Sequence, residues 1–173
     1  MDMILGEEFY MKRATESAPE LIGKILCKRE NDGMIIRARI TETECYFGED
    51  DTACHAHRGK TDRTKILYNR GGCAYVYLCY GIHSLLNVVT GDEGFPEAVL
   101  IRAVEGYIGP GRVTKYFGID RTYNSENLIS GGRLWIEDDG YRPSYHSAPR
   151  VGIDYSDEYY RNIPWRYICD DMT

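Results

Sequence analysis

From Met34 to Ile40 apolar and polar residues nearly alternate: Met34, Ile36, Ala38 and Ile40 fall on one side, Arg37 and Arg39 on the other. A period of two is that of a half-buried strand. Continued by two, the inward face next receives Glu42 and Glu44. A buried carboxylate without a partner is costly, or shifts its pKa until it is neutral. The strand therefore either leaves the core here or enters a pocket that uses the charge. Ala74 to Tyr80, rich in tyrosine and valine, is broken by Gly81 and resumes from His83 to Thr90, which predicts a β-hairpin with Tyr80 near its tip. A third apolar strand, Glu97 to Val104, carries Arg102 in its middle. A buried arginine needs an anionic partner, and Glu42 and Glu44 are the candidates.

Elsewhere the signals are shorter. Ser17-Ala18-Pro19-Glu20 reads as a helix start, with Leu21, Ile22, Ile25 and Leu26 as its apolar face. Pro110 to Gly118 has proline near its start and glycine at its end, the asymmetry of a short helix. Leu134 to Ile136 reads as a strand, and the segments 150–153 and 164–168 as edges closing the sheet. Phe47 to Asn69 is long, polar and aperiodic; placed between strong strands, such a loop reads as functional. The sum is an α+β fold around an antiparallel sheet, one domain over residues 1–173.

Composition narrows the function. The chain has 173 residues, 43% of them apolar and 28% charged, as in ordinary globular proteins. No apolar run reaches the ~18 residues of a membrane span, and Met1 to Gly6 has no signal-peptide pattern, so an intracellular protein with no membrane partner is expected. Six cysteines without a CxxC pair favour reduced thiols over a disulfide scaffold or zinc site. Cys54-His55-Ala56-His57 is a weak ligand cluster, and no metal is expected there. A net charge of −6 argues against a polyanionic partner, yet Arg58, Lys60, Arg63, Lys65 and Arg70 lie within sixteen residues beside a single acid, Asp62. That local stripe is compatible with DNA, and on charge alone a solvated loop explains it equally well. Fifteen tyrosines supply rings on which bases stack. Gly59-Lys60-Thr61 is no phosphate loop, because Cys54 stands where that motif needs glycine.

The stretch ITETECYFGEDDTACHAHRGKTDRT, the hairpin YVYLCYGIHSLLNVV and the segment AVLIRAVEG, in this order, closely resemble the alkyladenine (3-methyladenine) DNA glycosylases of the single-domain type, in the short form of bacteria and archaea. The likeness runs from about Leu5 to Tyr167. It implies a curved, mainly antiparallel, open-barrel-like sheet with a few packed helices and a protruding hairpin. It also implies that Glu44 activates water, with Arg102 and the Val151 carbonyl helping to hold that water. Tyr46, His55 and Tyr77 would sandwich a flipped base, Asn87 would line the pocket floor and crowd a normal guanine, and Tyr80 would enter the duplex. Arg58, Lys60 and Arg63 would meet the DNA backbone. The implied partner is double-stranded DNA carrying a damaged purine, bound by a monomer without cofactors. The chain departs from the family pattern at residues 68–72, 105–107 and 113–116, none of them catalytic.

Two rival functions compete. Glu42 and Glu44, two apart on a strand, would be about 7 Å from each other, suited to an inverting carbohydrate hydrolase. Alternatively the chain is a non-catalytic module for damaged DNA or nucleotides, with Glu44 a structural partner of Arg102.

Overall fold

The computed structural model describes residues 2–171. In chain order the elements are β1 (Met3–Ile4), α1 (Glu7–Tyr10), α2 (Ala14–Glu20), β2 (Ile25–Arg29), β3 (Ile35–Phe47), β4 (Ala74–Cys79), β5 (His83–Val89), β6 (Glu97–Val104), β7 (Tyr107–Ile108), α3 (Pro110–Phe117), β8 (Leu134–Asp138), β9 (Tyr145–Ala148), α4 (Glu158–Asn162) and β10 (Arg166–Cys169). Ten antiparallel strands form one sheet that does not close on itself. Its main path runs β1-β8-β2-β3-β6-β5-β4, with β10 joining β3 to β9 and β7 on the edge of β6. This is the expected α+β class. The long loop after β3 contains two single-turn 3-10 helices, His55–Arg58 and Lys65–Tyr68.

Strand β3 organises the molecule. Its first part pairs with β2; its second part lies between β6 and β10 and is buried on both faces. Ile36, Ala38 and Ile40 pack in the main core, but beyond them the core residue is the odd-numbered Cys45. The change of phase falls at a pairing irregularity between Ile40 and Thr43. On the partner strand Val104 and Ile101, three apart, are core residues across the same irregularity. Bulges of this kind re-aim side chains beside functional sites. Glu42 and Glu44 therefore do not continue the inward face of the upstream alternation. They lie on the opposite side, in a second and separate interior.

Two sequence-based expectations are corrected. No helix starts at Ser17: α2 spans Ala14–Glu20, Pro19 lies in its last turn, and Ile25 and Leu26 belong to strand β2. The helix start is set from far away. Glu97 on β6, fully buried, accepts from the Ala14 N–H at 2.6 Å and from Arg13 Nη1 at 2.7 Å, supplying the cap that Arg13 itself lacks. Residues 150–153 form no edge strand; they are a loop that turns at Gly152 (φ 73°) and is fixed by Arg150. Helix α3 matches expectation, with Pro110 in its first turn and Gly118 as a left-handed cap at φ 68°.

Candidate active site

Residues opposite one another in an antiparallel pair share a face. Glu44 faces Leu100, Leu100 faces Asn87, Asn87 faces Tyr75, and Tyr77 faces Leu85. Four neighbouring strands thus present Glu44 and Tyr46, Leu100, Asn87, and Tyr75 and Tyr77 on one side of the sheet. That side walls a cleft of about 700 Å³ lined by Glu44, Tyr46, His55, Arg63, Tyr77, Tyr80, Arg102 and Val151, among others. Behind it lies a cavity of about 40 Å³ that shares Tyr46, His55, Tyr77 and Tyr155 with the cleft and is further lined by Asn87, Tyr75 and Cys54. The predicted residues from β3, β4, β5, β6, the long loop and the 150–153 loop converge here.

Glu44 is completely buried. Its Oε2 accepts from the Val151 N–H at 2.6 Å and its Oε1 from the Tyr46 hydroxyl at 3.0 Å, with Arg102 Nη1 at 3.7 Å. Burial pushes the carboxyl above the usual range, while the Arg102 guanidinium, the Val151 N–H and the Tyr46 hydroxyl each pull it back. Such a carboxylate is a stronger base than one in water. Arg102 also donates through Nε to Glu42 at 2.7 Å, so one guanidinium spans both glutamates. Glu42 has a second cation, Arg166, at 3.5 Å. The two glutamates that the alternation treats alike are separated in this way: Glu42 is committed to ion pairs and Glu44 faces the cleft.

Val151 reaches Glu44 because its neighbour is anchored. Arg150 and Asp51 form an ion pair with both side chains fully buried, at 2.7 and 2.9 Å. Arg150 also donates to the carbonyls of Cys45 and Tyr160, and its guanidinium lies 4.8 Å from the centre of the Tyr46 ring. Asp51 accepts from the Phe47 and Ala53 N–H groups. Neither residue was singled out from the sequence, where Asp51 reads as one more acid in the run Glu49-Asp50-Asp51.

The aromatic walls are coupled. The His55 and Tyr77 ring centres are 4.3 Å apart, and His55 Nδ1 shares a hydrogen bond with the Tyr75 hydroxyl at 3.0 Å. Burial, and to a smaller degree the Arg63 cation, pushes the imidazole down to about 4, so it is neutral at physiological pH. Asn87 is buried and its amide nitrogen donates to the Tyr75 carbonyl at 3.2 Å. Tyr155, absent from the predicted set, lines cleft and cavity alike and donates to the Ala53 carbonyl at 2.9 Å.

Tyr80 stands on the cleft rim at the hairpin tip, 90% exposed beside Ile82 at 72%. Tyr80 and Gly81 form the centre of the turn at φ 52° and 71°, closed by the Ile82 N–H to the Cys79 carbonyl. A tight hairpin accepts glycine or asparagine there readily; a tyrosine in that conformation is strained and points to function. The basic stripe divides. Arg63 lies in the cleft over the Tyr77 ring, Lys60 lies over the Tyr68 ring, and Arg58 lines a neighbouring groove with His57 and Asp157. Arg70 is paired with Glu7, whereas Arg112 on α3, not anticipated, lines the cleft. His55 and His57 bond to different partners, and among the described residues no group of three His, Cys, Asp or Glu side chains is arranged to hold a metal.

An antiparallel sheet thus carries a hairpin beside a tyrosine-walled cleft in which the Glu44 carboxylate is buried. Comparison with known proteins shows the family. The model of the methylpurine-DNA glycosylase family matches residues 8–108 and 107–173. A protein of Psychrobacter cryohalolentis, provisionally named a 3-methyladenine DNA glycosylase, is 45% identical over 168 residues, covering 80% of this chain and 79% of the relative. Relatives of the same provisional name from Rickettsia felis and Clostridium botulinum are each 39% identical; they cover 98% of this chain and 95% and 96% of their own lengths. The chain belongs to the methylpurine-DNA glycosylase family, and so to the hydrolases of N-glycosyl bonds. A carbohydrate hydrolase, which would need Glu42 free as an acid, is thereby set aside. No described helix is long and apolar enough to cross a membrane.

Proposed function

We propose that this chain is a monofunctional DNA glycosylase of base excision repair, which extrudes an alkylated or deaminated purine from duplex DNA and hydrolyses its N-glycosidic bond. The observation that carries this reading is a single one: Glu44, fully buried, held by the Val151 N–H, the Tyr46 hydroxyl and Arg102 at the inner wall of an aromatic cleft. Extrusion costs a few kcal/mol, least for a damaged or mispaired base. Tyr46 on one wall and the His55–Tyr77 pair on the other supply stacking surfaces for the flipped purine. A neutral His55 suits an alkylated purine, whose positive charge an imidazolium would repel. Asn87, its amide nitrogen tied to the Tyr75 carbonyl, crowds the exocyclic amino group of a normal guanine. Tyr80 fills the space left in the duplex, and Arg58, Lys60 and Arg63 meet the phosphates.

The chemistry balances simply. The water oxygen bonds to C1′ as the C1′–N bond breaks, the base leaves with the electron pair, and the water proton passes to Glu44. Arg102 and the Val151 carbonyl hold that water. Among the described residues no lysine lines the cleft or the cavity, which supports hydrolysis without a Schiff base. The test is release of free base from duplexes carrying alkylated purines or hypoxanthine, with borohydride present in a parallel reaction. Free base with an intact abasic strand is expected. A borohydride-trapped protein–DNA adduct would overturn the monofunctional assignment, and tight lesion binding without release would reduce the chain to a binder.

A further inference from the structure

The mechanism above leaves one buried charged pair unused. The Arg150 and Asp51 side chains are both wholly inaccessible, far apart in sequence and paired through two contacts. A pair placed so deeply contributes little net stability, because desolvation consumes most of the attraction. What it does contribute is position. The guanidinium joins three segments: β3 through the Cys45 carbonyl, the start of the long loop through Asp51, and α4 through the Tyr160 carbonyl. Its nearest consequences lie on either side of the catalytic carboxylate. The next residue, Val151, presents its N–H to Glu44 Oε2, and the guanidinium backs the Tyr46 ring whose hydroxyl holds Glu44 Oε1.

Resting on the glycosylase reading, we propose that Arg150, locked by Asp51, is a positioning residue that sets both the orientation of the water-activating Glu44 and the pose of the Tyr46 stacking wall. It touches neither base nor water. Both hydrogen bonds that hold the Glu44 carboxylate pass through groups that Arg150 fixes. Loosening it removes an N–H that stabilises the ionised form, and Glu44 then takes up a proton at higher pH. The charged and titratable groups around Glu44 are Arg102 on β6, Glu42 and Tyr46 on β3, Tyr77 on β4, Arg166 opposite on β10, and Arg150 and Tyr155 in the loop. None of these groups except Arg150 is itself substituted in Arg150→Lys or Asp51→Asn.

The experiment compares wild type, Arg150→Lys, Asp51→Asn and Glu44→Gln. Circular dichroism and thermal unfolding identify the folded variants, and Asp51→Asn, nearly isosteric, serves if the lysine variant does not fold. Single-turnover base release is then measured across pH, and the Glu44 carboxyl is titrated by carbon NMR in the free protein. A folded Arg150→Lys or Asp51→Asn protein is expected to lose about 10- to 100-fold in single-turnover rate. Its acid limb and Glu44 titration should move to higher pH, with affinity for undamaged duplex retained. A lower melting temperature alone, with an unmoved Glu44 titration and acid limb, would overturn the proposal and leave the pair merely structural. Absence of release by the wild type would instead sink the glycosylase reading, and the NMR titration would still decide whether Arg150 governs Glu44.

Discussion

Replacing Tyr80 by glycine should separate stability from activity. Tyr80 holds the left-handed conformation (φ 52°) with its ring 90% exposed. That conformation costs a non-glycine residue about 1–2 kcal/mol, which glycine removes. Glycine in turn loses roughly 0.5–1 kcal/mol more chain entropy on folding. The exposed ring adds little packing, so the balance is a gain between zero and ~1.5 kcal/mol. For a chain of this size each kcal/mol is worth about 2–4 °C in melting temperature. On DNA the effect of the substitution reverses. A ring that fills the vacated stack is worth about 1–3 kcal/mol, or roughly 5- to 150-fold at 1.4 kcal/mol per decade. Thermal unfolding gives the first quantity. Single-turnover release of the same lesion from duplex and from single strand gives the second, with the loss confined to duplex. A Tyr80→Gly protein that melts several degrees lower, or that keeps its duplex rate, would refute the assignment of a strained wedge.

Other consequences follow from the same geometry. Because burial raises the Glu44 carboxyl, base release should fall on the acid side with a limb above the ordinary carboxylate range, and a flat profile through that range would count against it. His55, pushed down from 6.5 to about 4, is neutral when folded and protonates more readily when unfolded. Its contribution to stability is therefore full above pH 6.5 and lost as pH falls toward 4, and His55→Asn should flatten that part of the stability profile. Glu97→Ala removes the remote cap of α2 and the partner of Arg13. It should cost about 1–3 kcal/mol, read by urea unfolding, without changing the pH profile of base release. With a net charge of −6, DNA affinity rests on local cations, so neutralising Arg63 or Arg112 should each lower the salt slope of binding by about 1; an unchanged slope would remove that side chain from the contact.

What could be read from the residues was local. The alternation into β3, the hairpin break at Gly81 and the Pro110/Gly118 boundaries each depend on a few adjacent residues, and each appears where expected. What could not be read depends on partners distant in sequence. The start of α2 is set by Glu97, more than eighty residues away. The reversal of phase at Ile40–Thr43 needs a matching irregularity on β6, which no periodicity of β3 alone reveals. Residues 150–153 have the apolar content of an edge strand, and they form a loop because the Arg150–Asp51 pair and Gly152 hold them so. The site followed the same rule. Resemblance indicated Glu44, Arg102 and the aromatic wall, whereas Arg150, Asp51, Tyr155 and Arg112 carry no motif and emerge only from packing.

The most direct test of the account is base release by Glu44→Gln under single-turnover conditions, on a duplex lesion that the wild type processes, with lesion binding measured on the same protein. The expected result is a folded variant that binds the lesion as the wild type does and releases base at least ~100-fold more slowly, in the range that general-base catalysis supplies. Release at the wild-type rate by the folded variant would contradict it and move the base to another group, Glu42 first.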